Sequence, residues 1–422
     1  MSAPQLSVLF FFQMFVILAV CRLVGAVALR AGQPLVVGEM VAGVLLGPSL
    51  FGLRAPGAQA ALFPPESLQV LFVVAQVGIG LYMLFVGIEF DLEVFRREMR
   101  GAAAVSLAGM LVPFALGAAL APWLLKMPGL FGAGVRSHEA MLFLGAAIAI
   151  TAFPMLARII YERGLAGTQL GTLSLAAGAM GDAVAWCVLA VVLASFGGGA
   201  ELAVKAIGGG VGFTVLMLTV GRRLLARLGA AAERDGRLTP TMLSTCLMRR
   251  MLSAWVTDAA GIHAVFGGFL LGVAMPRGLL TRELQRDLEP FTVVFLLPTF
   301  FTFSGLNTRL DMVSSFELLG VALVVLAASC LGKFGACWAA ARLTGADNRL
   351  ALAIGALMNA RGMMELILLN IGLQKGIIQP PLFAMLVLMA VVTTLMASPL
   401  FEWVYGRHAR AAGKVGQISN DE

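Results

Sequence analysis

Thirteen apolar segments, each close to the length of a membrane-spanning helix, are the feature that most restricts how this chain can fold. A helix needs about 20 mainly apolar residues to cross a bilayer, and it satisfies its own backbone hydrogen bonds in hydrocarbon. The pattern therefore predicts an all-α polytopic membrane protein. The approximate segments are 8–28, 36–53, 68–88, 102–125, 138–160, 168–196, 202–225, 240–257, 261–275, 290–306, 316–342, 350–373 and 381–404.

The composition agrees with a membrane protein and argues against other classes. Of the 422 residues, 59% are hydrophobic and 13% are charged, whereas a soluble chain of this size needs more charge to cover its surface. All five cysteines fall in apolar segments, which argues against a disulfide framework or a metal site. The chain contains no CxxC, HExxH or Walker-type motif, so we expect no cofactor and no enzyme activity.

Lysine and arginine are distributed unequally between the predicted loops. With the N-terminus outside, the inside loops and the C-terminal tail hold 19 of these residues, Arg158 and Arg163 among them, and the outside loops hold 5. Cytoplasmic loops collect Lys and Arg, so we expect a bacterial-type inner membrane with the N-terminus outside and the C-terminus cytoplasmic. The net charge of +7 then needs no nucleic-acid partner. Residues 1–422 are predicted to form one membrane domain that ends in a short cytoplasmic tail, 406–422.

Two isolated charges lie inside predicted spans. Asp182 is the one charged residue of SLAAGAMGDAVAWCVLAVVL (174–193), and Lys333 lies within SCLGKFGACW in the eleventh segment. A charge at the bilayer centre costs at least about 2.5–3.5 kcal/mol on insertion scales, so it normally faces protein or water and marks function. The two side chains could form a structural ion pair if their helices touch. The alternative, which we favour, is an ion or proton site.

The fifth and twelfth segments are both interrupted. Pro154 in AIAITAFPML lacks a backbone donor and follows the hydroxyl-bearing Thr151, while Asn359, Arg361 and Gly362 break the apolar run of the twelfth segment. These segments hold matching places in two units, segments 4–6 and 11–13. Interrupted helices at matching positions point to a transporter's midplane binding site, where free carbonyls can hold a small cation.

Arg361 and Glu365 have a spacing that predicts a contact within one helix. Residues four apart share a helix face, so these two side chains can pair with each other. This arrangement favours a structural role for the pair. The facing ends of broken helices would also need compensating charges, which Asp182 and Lys333 could supply.

Six motifs in this order resemble the monovalent cation:proton antiporter-2 family, the Kef-type and CHX-type exchangers. Any one of them is moderately specific, and together they cover nearly the whole chain. They are VVGEMVAGVLLGPSLFG (36–52), LYMLFVGIEFDLE (81–93), AITAFPMLARII (149–160), TDAAGIHAVFGGFLLGVAMP (257–276), TFSGLNTRL (302–310) and MNARGMMELILLNIGL (358–373).

The resemblance implies a thirteen-helix fold of inverted repeats with two broken, crossing helices, as in sodium/proton antiporters. It implies a dimer subdomain at about 1–100 and 238–312, and a mobile core subdomain at about 101–197 and 313–405. A linker helix at about 202–225 joins them. The resemblance also implies a homodimer in the membrane. We expect no regulatory nucleotide-binding domain in this chain.

The resemblance also implies the site residues. An aspartate on the sixth helix binds cation and proton in competition, and Asp182 holds that position. Lys333 matches a lysine near the aspartates of relatives, and Thr151 completes the predicted set that binds a monovalent cation at Asp182. Supporting positions are Gly181, Ala152, Pro154, Asn359, Arg361 and Glu365.

Two departures from the family pattern stand out. Many relatives carry an acid or an amide where this chain has Gly181, so only the second acid, Asp182, remains. The other departure is Arg249–Arg250 in the normally apolar eighth segment. These arginines are consistent with a shifted or shortened helix, a water-filled crevice or an anion-facing surface.

The leading functional hypothesis is a secondary active transporter that exchanges Na⁺ or K⁺ for protons by alternating access. One carboxylate favours one-for-one electroneutral exchange, whereas a titrating Lys333 would permit electrogenic exchange. The alternatives are a potassium efflux uniporter or channel-like path, a non-transporting sensor with a degenerate ion site, and a sodium-coupled organic-solute symporter. An enzyme is the hypothesis that the sequence supports least.

Overall fold

The structure is a computed structural model that describes residues 2–90, 92–193, 199–261, 264–306, 316–361 and 363–406. Nearly all of these residues are helical, and the pairing of extended backbone among them is a single bridge between Phe131 and Ile378. The predicted all-α architecture is confirmed. Gly362 and most of the predicted tail, 407–422, lie outside the described residues.

Eighteen α-helices are present in the described part of the chain. They are α1 (Ala3–Arg30), α2 (Leu35–Leu46), α3 (Pro56–Leu62), α4 (Pro65–Glu89), α5 (Leu92–Leu125), α6 (Ser137–Ala149), α7 (Phe153–Glu162), α8 (Gln169–Leu193), α9 (Gly199–Leu216), α10 (Arg222–Asp235), α11 (Pro240–Ala259), α12 (Ala264–Ala274), α13 (Leu279–Phe291), α14 (Leu297–Leu306), α15 (Phe316–Leu343), α16 (Asn348–Leu357), α17 (Met363–Gln374) and α18 (Pro380–Phe401). Short π-helical turns at Pro48–Gly52, Met217–Gly221, Thr292–Leu296 and Glu402–Gly406 follow α2, α9, α13 and α18.

The helices confirm a multi-pass membrane protein. Within the described ranges, eight continuous or nearly continuous helices are long and apolar enough to cross a bilayer. Every predicted segment overlaps at least one helix. The segments that do not match one of these eight overlap helices that are shorter, less apolar or partly described. The count of thirteen crossings stays a prediction.

Two amphipathic helices, α10 and α13, were not predicted because only one face of each is apolar, and the short α3 also lies between predicted segments. The segment at 202–225 continues as α10 to Asp235, with Leu225, Gly229 and Ala232 buried on one face. Likewise, α13 precedes the segment expected at 290–306 and buries Leu280 and Leu284. A search for apolar runs misses such helices, since half of each surface is charged.

The helices pack as two bundles. In the first, called the core bundle (α5–α8 and α15–α18), α5 contacts α6, α8 and α15, and α15 contacts α16 and α18. In the second, the scaffold bundle (α1, α2, α4 and α11–α14), α4 contacts α12 and α14, and α2 contacts α1 and α14. The linker helix is α9, its π turn and α10. The assignment of these bundles to a mobile core and a dimerising subdomain stays a prediction.

Glycines bring the scaffold helices into backbone contact. A Cβ atom placed on Gly43 of α2 would lie 2.5 Å from the carbonyl oxygen of Thr302 on α14 and 3.0 Å from the Cα of Gly305. Membrane helices gain stability through such close packing, since lipid gives them no hydrophobic drive to associate. The α2–α14 contact therefore requires glycine at this position.

We expect Gly43→Ala to destabilise the protein by about 1–3 kcal/mol, because the new methyl group overpacks a backbone contact. Thermal unfolding of the purified protein in detergent measures this as a lower midpoint. The matched control is Gly208→Ala on α9, where a Cβ meets nothing within 4 Å. Equal midpoints for the two variants would contradict the prediction.

Candidate ion-binding site

Two broken helices touch at the centre of the core bundle. The first break separates α6, which ends at Ala149, from α7, which begins at Phe153. The second separates α16, which ends at Leu357, from α17, which begins at Met363. The backbone N–H of Ala152 donates to the carbonyl of Ala360 at 3.1 Å, so the two breaks are in direct contact. The two predicted interruptions are confirmed.

The first break follows from Pro154. A proline ring clashes with the carbonyl four residues earlier, here Ile150, and Pro154 has no N–H to donate to it. The chain turns to extended conformations at Ile150 and Ala152, and Pro154 then occupies the first turn of α7, where its missing donor does no harm. In the second break, the Asn359 side chain donates to the carbonyl of Gly355 at 3.2 Å.

Arg361 satisfies the carbonyls that the first break leaves open. Its guanidinium donates to the carbonyls of Ala147 at 3.0 Å and Ile150 at 3.2 Å, and also to that of Ile148 and to the hydroxyl of Ser329. The last carbonyls of a helix have no partner within the helix and carry its negative end charge. Arg361 therefore acts as a cap on the C-terminal end of α6.

Lys333 reaches the same helix end from α15. Its ammonium donates to the carbonyl of Ala149, and the side chain is fully buried. Four consecutive carbonyls, 147–150, thus accept hydrogen bonds from two cationic side chains. The pairing of Lys333 with Asp182 stays a prediction.

Glu365 forms the ion pair that its spacing predicts. One oxygen lies 3.5 Å from Arg361 Nη1, and both side chains are fully buried. Glu365 is also in the first turn of α17, where the positive end of a helix favours a carboxylate. Among the described hydrogen bonds of the Arg361 guanidinium this one is the longest. The shorter ones go to the end of α6 and to Ser329.

Asp182 lies on α8, beside the first break. The helix contacts α5, α6, α7 and α16, and Asp182 is 2% exposed. A Cβ on Gly178, one turn earlier on the same face, would lie 2.7 Å from Leu156 and 3.1 Å from Phe153 at the start of α7. The positive end of α7 is thus close to the helix face that carries Asp182. Thr151, in the break itself, is also buried.

Gly181 adjoins a hydroxyl. A Cβ at this position would lie 3.4 Å from the Ser106 side-chain oxygen on α5. Ser106 is itself buried. The place where the resemblance leads us to expect an acid or amide is therefore next to a small polar side chain in this protein.

A polar cluster between the bundles was not predicted. Arg158 Nε lies 2.6 Å from Glu162 on α7, and its guanidinium lies 6.0 Å from the ring of Tyr82 on α4. Glu162 accepts from the backbone N–H of Val36 at 3.3 Å. Glu39, the one acid of VVGEMVAGVLLGP, is buried on α2 and could have drawn attention to this region.

Arg163 extends this contact between the bundles. It pairs with Glu402 at 2.6 Å, donates to the carbonyl of Gly32 at 2.6 Å and contacts the Ser398 hydroxyl. We counted Arg158 and Arg163 among the loop charges, but both are buried. Their carboxylate and carbonyl partners make that burial possible.

Comparison with known proteins agrees with this architecture. Residues 15–405 match the family model described as "Sodium/hydrogen exchanger, transmembrane". The chain is 37% identical over 400 residues to the Na⁺/H⁺ antiporter NhaS4 of Synechocystis, covering 92% of this chain and 95% of that protein. It is 32% identical to K⁺/H⁺ antiporter 1 of Saccharomyces cerevisiae, covering 94% of this chain and 46% of the yeast protein.

The fold comparison gives the same result. The structure of the sodium proton antiporter MjNhaP1 from Methanocaldococcus jannaschii superposes with a TM-score of 0.63 at 15% identity, covering 95% of this chain and 97% of that one. The chain spans about half the length of the plant and yeast relatives, for example 48% of cation/H⁺ antiporter 20 of Arabidopsis thaliana. From the family match along most of its length, this chain belongs to the sodium/hydrogen exchanger family.

Proposed function

We propose that the protein exchanges a monovalent cation, Na⁺ or K⁺, for protons by alternating access, with Asp182 as the shared binding group. The observation that carries this proposal is the position of Asp182 on α8, beside two broken helices that touch at Ala152 and Ala360. A deprotonated Asp182 binds the cation, and protonation releases it. Because one carboxylate does not hold both, movement of the cation is coupled to opposite movement of the proton.

The capping of α6 restricts which oxygens hold the cation. The carbonyls of residues 147–150 already accept hydrogen bonds from Arg361 or Lys333. The positive charges of these side chains repel a Na⁺ or K⁺ ion at the same carbonyls. We therefore assign the cation's neutral ligands to Thr151, next in the chain, rather than to these four carbonyls. The Thr151 hydroxyl is the hard oxygen ligand that alkali cations prefer.

The buried charges favour electroneutral exchange. In the core bundle, Asp182 and Glu365 offset Lys333 and Arg361, so the formal charge of these four groups is zero before a cation binds. Adding one Na⁺ or one proton to Asp182 gives the same net charge. The loaded site thus carries the same charge with either substrate. The proposed stoichiometry is therefore one cation for one proton.

The orientation and assembly belong to the same proposal. The excess of arginine and lysine on one side supports an inner-membrane protein with the N-terminus outside and the C-terminus cytoplasmic. The family resemblance supports a homodimer. The relatives are named as Na⁺/H⁺, K⁺/H⁺ and Na⁺/H⁺-K⁺ antiporters, which supports a monovalent cation as substrate without selecting one.

We expect Asp182→Asn to abolish exchange while leaving the fold intact, because an amide binds neither a proton nor a cation strongly. The assay uses purified protein in liposomes with a trapped pH dye, to which Na⁺, K⁺ and Li⁺ are added in turn. Thermal unfolding is the control for folding. Proton movement in the variant at the wild-type rate would exclude Asp182 as the carrier. Wild-type cation flux without proton movement would favour the uniporter, and no flux at all would favour the sensor.

We expect exchange by the wild-type protein to be independent of membrane potential, since each cycle moves no net charge. The same liposomes are clamped at opposite potentials with a potassium gradient and valinomycin, with Na⁺ as the test cation. A rate that follows the potential would mean that a second group, with Lys333 the first candidate, carries a proton. The variant Lys333→Gln would then lose the potential dependence.

We expect Arg361→Gln to lower stability by about 3–5 kcal/mol, because it leaves helix-end carbonyls without a donor and Glu365 without its partner. Adding Glu365→Gln to this variant recovers part of the loss by removing the uncompensated acid. The measurement is the unfolding midpoint of the two single variants and the double variant. Strict additivity of the two substitutions would show that Arg361 and Glu365 are not coupled.

A further inference from the structure

A cavity of about 270 Å³ lies between the linker helix and α11. Its lining is apolar except for Arg249 and Ser253, and Leu271 of α12 closes its inner side. The lining residues Leu216, Val220 and Leu252 are strongly exposed. Exposed leucine and valine on membrane helices meet lipid, so the cavity opens toward the hydrocarbon of the bilayer. An acyl chain is the natural occupant of such a space.

Arg249 is the last cavity-lining residue of α11 in the direction of α10. The linker helix and α11 are antiparallel, and a Cβ on Gly209 would lie 2.8 Å from the Cβ of Ala260. Counting the same number of residues along each helix from this contact, forward from Gly209 and backward from Ala260, places Arg249 level with Val220. The exposed residues Arg222 and Arg223 follow on the same turn of the linker helix. Arg249 and these two arginines therefore lie toward the membrane side for which the loop charges predict most arginines.

The two neighbouring arginines of α11 have different environments. Arg250 points into the scaffold bundle, where its Nε donates to the carbonyl of Gly80 at 2.9 Å and its guanidinium occupies space that a side chain on Gly80 would fill. Each arginine has a buried Nη1 without a hydrogen-bond partner among the described residues, but of the two only Arg249 lines the cavity. A buried guanidinium nitrogen at the edge of an apolar cavity requires an anion or another acceptor.

Among anions, a lipid phosphate matches both parts of the site. A free aqueous anion would satisfy Arg249 but leave the apolar walls empty, and an uncharged lipid would fill the walls but not satisfy Arg249. Arginine binds phosphate through paired hydrogen bonds, and anionic lipids are attracted to basic segments at the cytoplasmic surface. Arg222 and Arg223 add positive charge at the level of the headgroups.

We propose that this cavity binds one acyl chain of an anionic phospholipid, with the lipid phosphate held by Arg249. Of the three interpretations of Arg249–Arg250, the anion-facing surface is then correct for Arg249. The site lies on the helix that connects the two bundles. It is separate from Asp182 and does not depend on the exchange mechanism.

Native mass spectrometry of the purified protein tests the proposal. Dioleoylphosphatidylglycerol and dioleoylphosphatidylcholine are added to separate samples, and the retained lipid is counted. We expect one tightly retained phosphatidylglycerol on the wild type, and an affinity about tenfold lower in Arg249→Gln, which corresponds to the loss of one charge-assisted contact. Equal affinity in that variant, or equal retention of phosphatidylcholine by the wild type, would overturn the proposal.

Two further variants separate the charge from the space. Val220→Trp fills the cavity mouth but keeps Arg249, and we expect it to lose the same lipid. Arg227→Gln removes an exposed arginine of α10 that does not line the cavity, and its affinity should stay within about twofold of the wild type. If Val220→Trp retains the lipid, or an excess of inorganic phosphate displaces it, the acyl-chain site is wrong.

Discussion

The capping of one broken helix end by two cationic side chains is the interaction on which the candidate ion-binding site depends. Hydrocarbon offers no partners to free carbonyls, so a helix break in the membrane survives only where protein groups replace the missing bonds. Here Arg361 and Lys333 supply donors to residues 147–150 at the end of α6. Without them the break at Thr151 would expose unsatisfied backbone, and the irregular segment beside Asp182 would have no stable conformation.

This arrangement divides the charged groups of the core bundle by task. Arg361 and Lys333 both donate to backbone carbonyls at the end of α6, so their side chains are occupied by the break itself. In the proposed mechanism Asp182 is the group at which charge changes, since a cation or a proton exchanges there. In a buried site the effective dielectric is low and these charges influence one another strongly.

The sequence could predict what depends on local rules. The length of apolar runs predicted the spans, and the missing backbone donor of Pro154 predicted the first break. The acceptors of Lys333 were beyond such rules, because a lone lysine in an apolar helix suggests a carboxylate partner and gives no sign of a distant helix end. Arg158 and Arg163 were counted as loop charges, since their partners Glu162 and Glu402 are identified by packing. The amphipathic helices α10 and α13 were not predicted, because a search for apolar runs does not detect helices with one charged face.

Contacts within and between the bundles differ in kind, and this difference bears on alternating access. Within the scaffold, Gly43 and Gly305 place backbone against backbone, which resists sliding because a shift of one residue produces a clash. Between the bundles, Glu162 accepts from Val36, and Arg163 donates to Gly32 near a helix end. The rings of Phe153 on α7 and Phe269 on α12 also meet edge to face at 5.1 Å. These contacts involve side chains on at least one side, and side-chain contacts can re-form after a shift. The contacts between the bundles are therefore compatible with the proposed movement of the core bundle as a unit, which would carry Asp182 and the capped break together.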